Sequence, residues 1–154
     1  MVYELGRGNP LKEKTMRCAE CGSERIRLSN EPITEEFRGD TFTVAGIEHY
    51  VCEDCGEVTM STTEATRLGE ALASRYRKAH ELLAPAQIRA LRESLALTQK
   101  EFEKVLGVSS PTVCRWERGT IVQTKVADNL MRAIASSATV RNELMLRANV
   151  RLSA

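Results

Sequence analysis

Leu97-Thr98-Gln99-Lys100-Glu101 and, after a short apolar run, Gly107-Val108-Ser109-Ser110-Pro111-Thr112-Val113-Cys114-Arg115-Trp116-Glu117-Arg118-Gly119 decide how the second half of this chain folds. Thr98 and Glu101 stand at capping-box spacing: the hydroxyl can accept the amide hydrogen three residues on, and the carboxylate can reach back. Phe102, Val105 and Leu106 then share one side of a helix. Gly107 breaks it, Val108-Ser109 makes a turn, and Ser109 is placed to cap a further helix running through Glu117, which Gly119 ends. This is the pattern of a repressor-type helix-turn-helix, where two short helices cross steeply and the turn needs a small residue. Val113 and Trp116 would anchor the second helix, leaving Ser110, Pro111, Thr112 and Arg115 outward toward a major groove.

On that outward face Arg115 is the best base reader, because its fork can bond guanine O6 and N7 together. Gln99 begins the preceding helix, where exposed amides favour phosphate, and Lys100, Arg118 and Lys125 are further candidate phosphate partners. Pro111 is tolerable because first-turn amides lack an intrahelical partner, although it removes a hydrogen-bonding side chain from the reading face. Specificity then leans on its neighbours and on DNA shape. The plainer reading is an ordinary bundle, with Arg115 and Arg118 as surface charges and Trp116 as core. Cys114 would then be an inert, partly buried thiol. The joint presence of capping box, glycine turn, capped second helix, terminal glycine and basic balance favours DNA.

Working outward, Pro85 can open a helix at its first position, with Ile88, Leu91 and Leu95 turned inward. Val126, Leu130 and Ile134 mark a fourth helix of this half, and Val140, Leu144 and Ala148 a fifth. Residues 85–154 therefore read as a five-helix, Xre/Cro-like helix-turn-helix domain for DNA binding and dimerisation. Leu144, Leu146 and Val150 either form dimer contacts or complete each monomer's core. A homodimer would set two recognition helices about one helical turn apart, selecting a pseudo-palindromic operator. Upstream, Ser61 and Glu64 repeat the capping-box spacing, and Ala65, Leu68, Leu72, Tyr76 and Ala79 form the apolar face of a connecting helix in residues 62–84. Arg75, Arg77 and Lys78 suit the negative end of its dipole. It stops before Ala84-Pro85, since a residue preceding proline avoids the α region.

The first half is organised by Cys18-Ala19-Glu20-Cys21-Gly22 and Cys52-Glu53-Asp54-Cys55-Gly56. Two residues between thiolates let one tight turn supply two ligands, and two such turns complete a tetrahedral site. In a reducing compartment this spacing means metal rather than a disulfide framework. One structural zinc ion on Cys18, Cys21, Cys52 and Cys55 is the expected cofactor, with iron as the alternative for a four-cysteine site. A catalytic zinc keeps an open position, which four cysteines deny it. His49 is read as a surface strand histidine rather than a ligand or base. A thioredoxin-like role would need a single reactive pair at a helix N-terminus, not two matched turns. Arg25 to Leu28, Thr41 to Val44 and Ile47 to Val51 read as strands, with turns at Gly39-Asp40 and Ala45-Gly46. So small a β module over residues 16–61 needs the metal to fold. Residues 1–15, with Gly6, Gly8 and Pro10, read as a flexible leader.

The 154 residues suit one ordinary domain or two small ones, and 42% hydrophobic with 28% charged residues is a globular composition. No apolar run approaches the roughly 20 residues of a membrane helix, and Arg7, Lys12 and Glu13 interrupt any signal-peptide core. The expectation is a cytoplasmic protein without membrane contact. Residues 16–61 carry four basic and ten acidic side chains, a balance of −6, whereas residues 81–154 carry eleven and seven, a balance of +4. The near-neutral total thus hides an acidic front that suits a basic protein and a basic back that suits a polyanion.

Paired cysteines followed by this helix-turn-helix resemble the MqsA family of zinc-finger antitoxins from bacterial toxin–antitoxin operons. The resemblance covers about residues 16–135 and includes Phe37-Arg38-Gly39, Gly46-Ile47, Leu97 to Glu101, Arg115, Glu117 and Gly119. It implies that residues 16–61 bind a cognate toxin, a basic ribonuclease, and that the C-terminal domain dimerises and represses its own operon. Pro111 stands where the family pattern has a base-reading asparagine, implying a different operator preference. Two other functions are weighed against this one: a stand-alone zinc-ribbon and helix-turn-helix regulator without a toxin, and an enzyme of thiol-redox or metal-assisted hydrolase type. No acid–base constellation supports the enzyme.

Overall fold

A computed structural model describes residues 16–150; the expected leader and the last four residues lie outside the described residues. Among the described residues no helix is long and apolar enough to cross a membrane.

The N-terminal part contains five short strands in two sheets. Strands β1 (Ile26–Ser29), β4 (His49–Cys52) and β5 (Val58–Thr59) form one antiparallel sheet in the order β1-β4-β5, and β2 (Ile33–Phe37) and β3 (Asp40–Val44) form a separate hairpin. Phe37 pairs with Asp40, so the two-residue turn is Arg38-Gly39, one residue earlier than its sequence signal. Both turn residues have positive φ, 55° and 90°, the backbone that matches the twist of a tight hairpin. Neither β2 nor β5 was expected. The first runs through consecutive acidic residues, Glu35 and Glu36, and the second is only two residues long.

Helix α1 (Thr62–Ala79) closes the hairpin's open face rather than merely connecting. Leu68 and Leu72 pack on Ile33, Val44 and Ile47, and Tyr76 meets the ring edges of Phe37 and Phe42. Ala65 and Ala79, expected on the apolar face, are exposed. Ser61 accepts the Glu64 amide, but Glu64 does not reach back; its carboxylate takes the Glu48 amide at 3.3 Å and pairs with Arg67 at 2.7 Å. That bond ties the start of α1 to the β3–β4 loop.

From Pro85 the chain forms five helices around one core: α2 (Pro85–Ser94), α3 (Gln99–Leu106), α4 (Thr112–Glu117), α5 (Lys125–Ser136) and α6 (Ala138–Arg147). Ile88, Phe102, Val113, Met131 and Ile134 are fully buried, with Leu95, Leu97 and Trp116 packed around them. Burying each such side chain contributes roughly 1.5–3 kcal/mol. Thr98 and Glu101 form the complete reciprocal capping box, and Gly107 ends α3 in the left-handed conformation at φ 68°. In α5 Ile134 is fully buried and Leu130 packs against the core as expected, but Val126 is 78% exposed, and Met131 and Asp128 are buried as well, with Asp128 accepting the Leu83 amide at 2.7 Å. In α6 the buried residue is Met145; Val140, Leu144 and Ala148 are half-buried and Leu146 is exposed.

The hairpin and the helical head touch. Ala73, Leu82 and Val122 form a small apolar cluster that Phe37 and Tyr76 extend. At the hairpin tip Arg38 lies over the Phe37 and Tyr76 rings and donates to the Val122 carbonyl at 3.0 Å. Arg77 stands in the last turn of α1, as the dipole reading has it, but it is buried, donating at 2.7 Å to the Ile121 carbonyl in the loop that follows α4.

Candidate metal centre and nucleic-acid interface

Both cysteine pairs fold into the same turn. The amides of Cys18 and Cys52 donate five residues ahead, to Ser23 and Glu57, while those of Gly22 and Gly56 donate back to Cys18 and Cys52. Gly22 and Gly56 sit at φ 74° and 77°, a region that other residues enter at a cost. Pairing of Ile26 with Cys52 places the two turns side by side at one end of the β1-β4-β5 sheet. The four sulfurs all lie within 4.8 Å of one another, with Cys18–Cys55 and Cys21–Cys52 at 3.6 Å. A tetrahedron of 2.3 Å metal–sulfur bonds has edges of about 3.8 Å, so the cluster is sized for one ion. Neither separation is near the roughly 2.05 Å of a disulfide.

The electrostatics agree. The Cys55 amide, opposed by burial and helped by the Asp54 amide, lowers the Cys52 thiol to about 7. Cys55 is raised to about 12: the Glu57 amide favours its thiolate, but crowding by the Cys21 sulfur, burial and the Cys18 sulfur outweigh it. Ionising all four at this spacing would need a cation among them. Asp54 and Glu53, within the second turn, are held by Arg25 at 2.7 and 3.3 Å. His49 is not the surface histidine expected. It is buried, with Nδ1 bonded to the Ile47 carbonyl at 2.9 Å, because its strand position faces inward beneath the β3–β4 loop.

Helix α4 has two different sides. Val113, Trp116 and Glu117 are buried, whereas Ser110, Pro111, Arg115 and Arg118 are exposed and Thr112 is half-buried. Ser109 does not cap α4; Pro111 is the N-cap residue and offers no side-chain acceptor. Lys100 is exposed beside this face, and Lys125 donates to the His80 carbonyl at 3.0 Å, beside the end of α1. Gln99 is half-buried and gives its amide hydrogens to Glu117 at 2.8 Å, which leaves its carbonyl oxygen free for other partners.

The sequence matches, over residues 16–145, the family described as the MqsA antitoxin component of bacterial toxin–antitoxin systems. The chain belongs to the MqsA antitoxin family. Antitoxin MqsA of Escherichia coli (strain K12) is 27% identical over 130 residues, 84% of this chain and 99% of that relative.

Two buried carboxylates hold the outward helix of this antitoxin, and sequence reasoning gave neither that role. Glu103 of α3 accepts the Val113 amide at 3.0 Å, supplying the N-terminal cap that Pro111 cannot. At the other end Glu117 accepts from Arg92 at 2.6 and 3.1 Å as well as from Gln99. Burial opposes ionisation of Glu117, but the Arg92 and Gln99 bonds prevail and hold its carboxyl below the usual range. Arg92 responds in kind, raised by the same hydrogen bond. A third acid, Asp128, is also held low against burial by Arg132, Leu83 and Gln123. An acidic residue at an otherwise apolar helix position was the one available signal. It does not say where the partner lies.

Proposed function

We propose that this antitoxin binds one structural zinc ion, neutralises a cognate toxin through its acidic N-terminal module, and represses its own operon through α4. Family membership supports the toxin partner, and the resemblance supports a ribonuclease as that toxin. The front half's balance of −6 suits a basic protein, because complementary charge speeds encounter and fixes register. One observation carries the DNA half: α4 is locked on its inner side by Val113, Trp116, Glu103 and Glu117, while Arg115, Ser110 and Pro111 stay exposed. Five helices in this arrangement fit a Xre/Cro-like reader, with Arg115 on bases and Lys100, Arg118, Gln99 and Lys125 toward phosphates. Zinc is favoured over iron because a closed four-sulfur tetrahedron is its commonest structural site.

Dimerisation through the C-terminal helices is part of this reading. Val126 and Leu146 are 78% and 77% exposed, large apolar side chains left uncovered by a single chain. Two copies would present two α4 helices to a pseudo-palindromic operator in the cytoplasm. The test is co-expression with the adjacent gene, affinity capture of the complex, and footprinting on the shared promoter. Capture of the neighbour's product together with a protected palindrome supports the whole reading. Protection without a captured partner supports the stand-alone regulator instead.

A further inference from the structure

Glu117 and Asp128, the acids of the helical core, are matched by Arg92 and Arg132, and Glu103 faces the positive end of α4. Arg77 breaks this rule. It is only 5% exposed, yet among the described residues it meets no carboxylate. Its Nη2 donates to the carbonyls of Ile121 and Gly119, and its Nε reaches Gln123 at 3.5 Å. Among the described residues Nη1 has no hydrogen-bond partner, and it is not sealed in protein, since no buried side-chain polar atom there is left unsatisfied. Arg38 brings a second positive charge behind it, on the Val122 carbonyl. A buried cation normally has a counter-charge, and carbonyl dipoles supply only part of one.

Arg77 lines a cleft of about 440 Å³ between α1 and the helical head, large enough for a small ligand. Lys78 and Arg118 stand on its walls, and neither forms an ion pair among the described residues. Glu70 is its one carboxylate. The Ser74 hydroxyl offers a donor, and Pro85 at the start of the ten-residue α2 adds the positive end of a helix dipole. We propose that this cleft is an oxyanion site, in which Arg77, Lys78 and Arg118 hold a phosphate group. That group can belong to a small phosphorylated molecule or to the backbone of duplex DNA lying on α4, because Arg118 directly follows that helix.

The test uses the full-length, metal-loaded protein, titrated with inorganic phosphate and with pyrophosphate at constant ionic strength, against a chloride control. A saturable rise in melting midpoint is expected with either anion and not with chloride. Lys78→Glu should lower anion affinity about tenfold or more, the loss of one charge-assisted contact. Arg75→Glu makes the same charge change on the same helix outside the cleft and should leave that affinity unchanged. It keeps the test decisive even where Arg77→Leu fails to fold. The two sources separate with an operator duplex. Competition by pyrophosphate, with a salt slope reduced by about one in Lys78→Glu, assigns the site to DNA. Simultaneous binding of duplex and pyrophosphate assigns it to a small molecule. The proposal is overturned if neither anion gives a saturable response and Lys78→Glu leaves the salt slope unchanged. Equal effects of Arg75→Glu and Lys78→Glu overturn it as well. The duplex arm rests on the repressor reading and the anion titration does not, so an operator failure alone sinks only that reading.

Discussion

Replacing Glu117 by alanine should cost the helical head more stability than any exposed substitution, and the reason is geometric. Glu117 is 1% exposed in its side chain and Arg92 13%, so removing the acid leaves the guanidinium, in a place water hardly reaches, with only the Leu97 carbonyl at 2.9 Å and the exposed Glu93 at 3.3 Å. Breaking one partner of such a pair costs about 3–5 kcal/mol. The Gln99 amide loses its acceptor at the same time. In a helical unit of this size 3 kcal/mol lowers the melting midpoint by more than about 10 °C. The assay is thermal and urea unfolding of the metal-loaded chain, followed by helical circular dichroism. Glu143→Ala serves as control, because its pair with Arg147 is exposed at 55% and 73%. The control should move by less than about 1 kcal/mol. Acid titration gives an independent check. The Glu117 carboxyl lies below its ordinary 4.5, so its contribution is complete above that pH and disappears as the pH falls through the folded-state value. Glu117→Ala should flatten that acid limb. A loss matching the Glu143→Ala control, or an unchanged acid limb, would refute the reasoning.

Three further outcomes follow from the structure. Cys52→Ser, or treatment with a strong chelator, should release one metal ion per chain and unfold the β1-β4-β5 sheet, read by elemental analysis and amide exchange. The hairpin, α1 and the helical head should stay protected, because their contacts with one another do not involve the sulfurs. Glu103→Ala should lose about 1 kcal/mol and fray the start of α4, whereas Glu103→Gln keeps an acceptor for the Val113 amide and should recover most of it, as measured by urea unfolding. Arg115→Ala should weaken operator binding by about 1–3 kcal/mol and relax specificity at one position, with little change on random DNA in gel-shift assays. Equal loss on both DNAs would make Arg115 a phosphate contact.

What could be read from the sequence was local. The two cysteine turns, the Thr98–Glu101 box and the glycine that ends α3 each depend on residues a few positions apart, and all appear in the fold. His49 and Glu64 were misplaced, and the burial of Arg77 was not foreseen, because helix and strand signals say nothing about distant neighbours. The decisive partner of Arg77 is a carbonyl 44 residues away. In α5 only Val126 was misread, for a related reason: it is more apolar than Asp128, but Asp128 is the buried one because it satisfies the amide of Leu83, 45 residues away. The five-residue strand β2 escaped notice because Glu35 and Glu36 hide its alternation.

The cysteine turns also define where this chain can be lengthened. Bridging Cys21 to Cys52 through an ion closes a ring that contains β1 and the whole β2–β3 hairpin. Ring closure becomes harder only with the logarithm of length, about 0.6 kcal/mol for each doubling. Extra residues spliced in at Asn30 to Pro32, where the chain passes between sheet and hairpin, should therefore be absorbed with little loss. The same splice at Thr120 to Val122 would tear the carbonyls from Arg38 and Arg77 and separate the front of the molecule from its back. One seam is permissive and the other is not, which makes the first the natural place for a reporter tag.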